Sequence, residues 1–120
     1  MKKNARFKTL RHIEAVRNFI NLCIKELLDR GEKHDTSKLE DPEVDTFDEY
    51  TDKLRDVTYG SQEFNDYKKQ MKPALDHHYA NNRHHPEHFK NGIRDMNLID
   101  IMEMLCDWEA YGPLFLVEEI

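Results

Sequence analysis

The stretch from His77 to His88, HHYANNRHHPEH, holds five of the chain's seven histidines in twelve residues. Neutral imidazole is the commonest protein ligand for a metal ion, so this density of paired histidines predicts a metal centre. The other two histidines are His12 and the first member of the dipeptide His34-Asp35. Asp107 lies between Cys106 and Trp108, and a carboxylate in such partly apolar surroundings must be paired, hydrogen-bonded or bound to metal. Taken singly these residues say little. A lone histidine at the edge of an apolar helix face is usually a packed, hydrogen-bonded side chain, and His-Asp is a common pair of surface polar residues.

Helices have to deliver these groups. Leu10, Ile13, Val16, Ile20, Ile24 and Leu27 recur at helical spacing and predict a helix over 5–30, with Gly31 as its stop. His12 shares a ridge with Val16, Phe19 and Cys23, at the edge of that apolar stripe. His34 and Asp35 follow in GEKHDTSK. Adjacent residues on a regular helix diverge by about 100°, so the pair converges only from a bent backbone or a helix end. Lys38 stands just beyond, placed to meet a phosphate as a point charge.

A second helix is expected over 42–57, with Asp41 as N-cap, Pro42 in the first position, and Val44, Phe47, Leu54 and Val57 on its apolar side. The acidic run Glu40–Glu49 reads as a solvated face near a helix start. In the competing reading, Glu43 points back at the His-Asp turn as a ligand or general base. Tyr59-Gly60-Ser61 breaks the chain before a third helix over 62–82, whose ridge is Phe64, Tyr67, Met71 and Leu75 and which Pro73 should kink or bound. Pro86 disfavours helix at His85. Either the helix runs up to that point, or 83–90 is an irregular loop holding the second histidine pair. The last long helix spans 97–111, with Asn97 as cap, Leu98, Ile101, Leu105 and Trp108 as the buried ridge, and Asp100, Met104 and Asp107 as the neighbouring one. Gly112-Pro113 ends it, and the tail LFLVEEI docks as a short helix or pairs with another subunit, which leaves a homo-oligomer open. No alternating strand pattern occurs. The expectation is an all-α, compact single-domain bundle of about five helices over 1–120.

Composition narrows the function. With 38% hydrophobic and 35% charged residues, the chain reads as a soluble domain with a thin core. A net charge of −6 argues against non-specific nucleic-acid binding, because phosphate backbones select basic surfaces. No apolar run approaches the length that crosses a bilayer, and MKKNARFKTLRH lacks the apolar segment of a signal peptide. Cys23 and Cys106 read as buried free thiols of a reducing cytoplasm. With no CxxC spacing, a zinc ribbon is excluded.

In order, the chain gives His12, then His34-Asp35, then a histidine cluster, then Asp107 on the last long helix. This order resembles the HD-domain superfamily of metal-dependent phosphohydrolases, whose His…His-Asp…Asp motif holds a divalent ion in a helical bundle. HDTSK (34–38) looks like the frequent HDxGK of that superfamily, with Ser37 in place of glycine. His84-His85, Glu87, Gly92 and the helix ending in CDWEA are similar to the HD-GYP subgroup, although the GYP triplet is missing and no cyclic dinucleotide substrate follows. A closer resemblance is to a bacterial and phage family of unknown function that carries HDxSK[FL]xxxE, HHxxxNxHH and EMLxDW. Here these are HDTSKLEDPE (34–43), HHYANNRHH (77–85) and EMLCDW (103–108).

The resemblance implies His12, His34, Asp35 and Asp107 as ligands of a first ion. It implies His78, His84 and His85 for a second, with His77 and Glu43 as further candidates, and Asn82 orienting a ligand imidazole. His88 has no counterpart. Mixed imidazole and carboxylate ligands suit iron, manganese, zinc or nickel better than calcium or magnesium. The implied activity is metal-dependent hydrolysis of a small phosphorylated substrate, a nucleotide first among them. Asp35, Glu43 and Lys38 would be its catalytic side chains, Lys38 offsetting phosphate charge, and activity should fall below about pH 6 as ligand histidines protonate. Two alternatives share the ligand order: a di-iron oxygenase of the HD-domain type and a non-catalytic metal-binding protein. An HNH-type nuclease needs a β-hairpin ahead of its helix, and residues 61–82 carry no strand pattern.

Overall fold

The computed structural model describes residues 4–112. Among them the protein is all-helical, with four α-helices: α1 (Asn4–Lys33), α2 (Val44–Arg55), α3 (Gln62–Asn81) and α4 (Leu98–Ala110). The expected count was about five. Three 3₁₀ turns, Thr36–Leu39, Pro86–His88 and Gly92–Asp95, join them. The tail 113–120 and its expected docking lie outside the described residues. No helix among the described residues is long and apolar enough to cross a membrane.

The chain divides into two units, Met1–Glu32 and Lys33–Ile120. The first is α1, which runs straight through Gly31 to Lys33 and has no buried residue. Gly31 is not in the left-handed conformation that makes glycine a helix stop. Asp35 takes that conformation instead, at φ 54°, and the helix ends at Lys33, three residues beyond the expected end. Cys23 and Cys106 are both free, as expected, but exposed rather than buried.

In the second unit α2 packs against α3. Val44, Phe47, Leu54 and Val57 are the half-buried side of α2, and the Tyr50 hydroxyl donates to Gln70 Oε1 across the pair (2.5 Å). Asp41 does not cap α2. The Glu40 carbonyl accepts from both Glu43 N and Val44 N at 3.0 Å, so the first amides are satisfied by backbone and the helix begins later than expected. α3 starts at the Ser61 cap, whose hydroxyl accepts from Phe64 N. It carries Pro73 in its interior and ends at Asn81 rather than reaching His85. Its inward face is Met71, Ala74 and His78.

α4 has a reciprocal capping box between Asn97 and Asp100, which satisfies two end amides at once. The inward ridge of α4 is not the one expected. Asp100 and Met104 are buried, whereas Leu98 is 70% exposed and Trp108 47% exposed. The cause is Asp100, which is drawn inward by the cap and by a fork from Arg83 (Nε–Oδ1 3.0 Å, Nη2–Oδ2 3.1 Å). Among the described residues, the buried apolar ones are Met71, Ala74, Met96 and Met104, and the buried polar ones are Glu43, His78, Asn82, His84 and Asp100. The centre of this unit is thus as polar as it is apolar, and most of its polar members belong to the histidine cluster.

Candidate metal centre

The site begins at the corner after α1. The left-handed backbone at Asp35 is one that aspartate tolerates better than most residues, and it supplies the bend that the His-Asp pair requires. His34 Nε2 then lies 3.5 Å from Asp35 Oδ2 and 3.5 Å from Asp107 Oδ1. The other carboxylate oxygen, Asp35 Oδ1, lies 3.3 Å from His78 Nε2 and 3.2 Å from His84 Nε2. The two oxygens of Asp35 therefore face two different sets of imidazoles.

The second set depends on how α3 ends. Asn82 is extended (φ −133°, ψ 103°), and its side-chain amide donates to the His78 carbonyl (2.8 Å) and to Ser37 Oγ (2.9 Å). This ties the end of α3 to the 3₁₀ turn after Asp35. The chain then folds back through Arg83, and His85, also extended (φ −106°, ψ 129°), stands ahead of Pro86. Of the two arrangements open for 83–90, the irregular loop is the observed one. His78 Nε2 and His85 Nε2 come within 3.0 Å, and the His84 and His85 rings are 4.1 Å apart.

Two groups of potential ligand atoms result, each with its atoms within 4.8 Å of one another: Asp35, His78, His84 and His85, and His34, His84 and Asp107. They share His84. Carboxylates hold the far side of three of these rings. Glu43, fully buried, accepts from His78 Nδ1 (Oε1, 2.7 Å) and His77 Nδ1 (Oε2, 2.6 Å). Glu103 Oε2 accepts from His34 Nδ1 at 2.8 Å and lies 2.8 Å from His84 Nδ1, without hydrogen-bond alignment. A proton fixed on Nδ1 leaves Nε2 as a lone pair pointing inward, the tautomer a metal ligand needs.

His84 is 1% exposed, yet among the described residues neither of its ring nitrogens has a hydrogen-bond partner, nor does Asp35 Oδ1. Buried polar atoms are almost always paired. Two of the three, Asp35 Oδ1 and His84 Nε2, face each other across 3.2 Å, a donor pair that fits a divalent cation.

The electrostatics agree. Burial would raise the Asp35 carboxyl, but the close approach of His78 and His84 and the attraction of Lys38 and His34 hold it well below the usual carboxylate range. Glu43 is likewise lowered against its burial, chiefly by His77, Ser37 and His78. For His84, burial works against protonation, yet Asp35 and Glu103 push it up to about 9. Burial, then the neighbouring charges of His84 and His78, push His85 down to about 4.

Of the residues expected from sequence, His34, Asp35, His78, His84, His85 and Asp107 converge. His12 is exposed on α1, in the other unit, and neither group includes it. Lys38 lies at the edge, with Nζ 3.4 Å from Asp35 Oδ2 and over the Phe47 ring at 5.3 Å. It borders a cleft of about 390 Å³ lined also by Val44, Phe47, Asp48, Thr51 and Asp52. Glu43 and His77 stand behind the cluster, and His88 Nδ1 donates to the Tyr79 carbonyl at 2.8 Å. Asn82 Nδ2 lies 3.3 Å from His78 Nδ1, beside an imidazole of the cluster as expected, and it also holds Ser37 and the His78 carbonyl. Glu103 was not foreseen. Its signal was in EMLCDW, where it precedes Asp107 by four residues and so shares a helix face with it.

A family model described as "Family of unknown function (DUF5662)" matches residues 1–115. No curated protein and no solved structure matches the chain.

Proposed function

We propose, for a chain that belongs to the DUF5662 family of unknown function, that it is a metal-dependent phosphohydrolase of the HD-domain type, acting in the cytoplasm on a nucleotide or another small phosphoester. The observation that carries this is the divided carboxylate of Asp35, whose two oxygens face separate imidazoles (His34 on one side, His78 and His84 on the other). His34 and Asp107, with Asp35 Oδ2 and the shared His84 beside them, would hold one divalent ion. Asp35, His78, His84 and His85 would hold a second. Iron, manganese, zinc or nickel suits such a donor set. A bound ion supplies Lewis acidity toward a phosphoryl oxygen and a water acidic enough to act as nucleophile near neutral pH.

The chain's own residues do the rest. Glu43 and Glu103 keep the Nδ1 protons of His78 and His34 in place, so those ligands need no reorientation. Lys38 sits between Asp35 and the cleft beside Phe47. There its ammonium offsets phosphate charge while the Phe47 face gives the body of the substrate an apolar wall. Asp48 and Asp52 on the same wall favour a substrate whose charge is concentrated in one phosphate at the Lys38 end.

The test is a panel of nucleotides and simple phosphoesters, assayed for phosphate release with each of these ions. Metal should co-purify or bind, and Asp35→Ala should lose bound metal and turnover together. Full metal content and turnover in Asp35→Ala would overturn the assignment. A second reading, oxygen activation by a di-iron pair, draws on the same divided carboxylate and on the four imidazoles around it. Elemental analysis with a visible spectrum separates the two, because an iron-free, colourless protein that releases phosphate excludes the oxygenase.

A further inference from the structure

We infer that Glu103 is a positioning residue that couples the two ligand groups, so that both depend on one carboxylate; this rests on the metal-centre reading above. Glu103 projects from α4 one turn before Asp107. Its Oε2 lies 2.8 Å from Nδ1 of His34 and 2.8 Å from Nδ1 of His84. His34 belongs to the group with Asp107, and His84 belongs to both groups. A single oxygen therefore stands behind an imidazole of each group. The rings themselves are close, with centroids 4.3 Å apart, so neither can turn without disturbing the other.

Glu43 provides the contrast within the same molecule. It is the more buried of the two carboxylates, and both of its oxygens are on imidazoles. Of those imidazoles, however, only His78 is in a ligand group, and only in one. Glu43 thus serves one group and Glu103 serves two. Loss of an outer carboxylate behind a ligand histidine typically costs about 10- to 100-fold in metal affinity. Removing Glu103 should impose that loss on both binding steps. Removing Glu43 should impose it on the step that uses His78 and leave the His34, His84 and Asp107 step nearly unchanged.

The experiment titrates the full chain with Co²⁺ alone, following the visible d–d absorption and calorimetry, for wild type, Glu103→Ala, Glu103→Gln and Glu43→Gln. Circular dichroism of each metal-free variant checks that its helices are intact. The expected result is two Co²⁺ steps in wild type, both weakened about 10- to 100-fold in Glu103→Ala, partly restored in Glu103→Gln, which keeps a carbonyl acceptor, and only one weakened in Glu43→Gln. Nitrogen-15 spectra of the imidazoles give a second readout that also serves if Glu103→Ala misfolds: in Glu103→Gln, His34 should move toward mixed tautomers and the His84 ring resonances should shift, while His78 stays fixed. If wild type takes up two Co²⁺ and the Glu103 variants bind both unchanged, or lose the same single step as Glu43→Gln, the coupling is overturned and the metal centre stands. A single Co²⁺ step in wild type also overturns the coupling. If wild type binds no Co²⁺, the metal-centre reading itself fails.

Discussion

His84 concentrates the chemistry of the site. It is enclosed, lies within reach of Asp35, Glu103 and Asp107, and is the residue common to both ligand groups. In the metal-free chain its pKa is about 9, because Asp35 and Glu103 outweigh the cost of burial. A folded pKa above the unfolded value of about 6.5 means that the proton stabilises the metal-free fold. That contribution is fully present below pH 6.5 and is lost as pH rises through about 9. An ion that takes His84 must displace this proton. Metal uptake at pH 7.5 should therefore release a proton, and apparent affinity should climb about tenfold per pH unit until about pH 9. Proton release on adding Zn²⁺ to weakly buffered protein measures this directly. Uptake with no proton released would remove His84 from the ligand set. The sequence suggested a fall in activity below about pH 6; the carboxylates around His84 move the onset of weaker binding upward.

At the scale of elements, the site is a meeting of ends: the corner after α1, the loop after α3, and one face of α4. The Arg83–Asp100 fork joins the last two, because Arg83 immediately precedes His84 and Asp100 lies one turn before Glu103. Asp100 also closes the α4 capping box. Asp100→Ala removes the fork and the half of the box in which Asn97 N donates to Asp100 Oδ2, and the expected cost is about 2 kcal/mol, mostly from the orphaned amide of Asn97. Arg83→Gln should cost less than about 1 kcal/mol, since its guanidinium is 45% exposed and water replaces the lost pairing. Urea unfolding of the two variants tests this order; equal losses would show that the fork, and not the cap, holds α4 in place.

At the scale of the whole molecule, the second unit keeps few apolar residues inside and encloses charged ones. Such a centre is held together weakly by burial and gains from any cation that neutralises its carboxylates. A ligand present at about 100 times its dissociation constant stabilises a fold by about 2.7 kcal/mol, which for a domain of this size raises the melting temperature by roughly 10 °C or more. Thermal melts with and without Zn²⁺ or Mn²⁺, and again after chelation, should show this rise and its reversal. A melting temperature indifferent to every ion would contradict the reading of the buried imidazoles as ligands.

Much of this was legible in the chain. Helical periodicity marked all four helices, Asn97 stood where a cap is needed, and the histidines and carboxylates singled out by type and order are mostly those that converge. Local pattern also narrowed His34-Asp35 to a bent backbone or a helix end, because neighbouring side chains on a helix cannot converge. It misled where a long-range partner overrode it. Gly31 did not stop α1 because Asp35 takes the left-handed turn, and the inward face of α4 turned toward Asp100 because Arg83 reaches it from the loop before. Which carboxylate stands behind which imidazole was decided only by the tertiary structure. A histidine's tautomer depends on what meets its second nitrogen, and for His34 and His78 that partner is distant in sequence: Glu103 for one and Glu43 for the other.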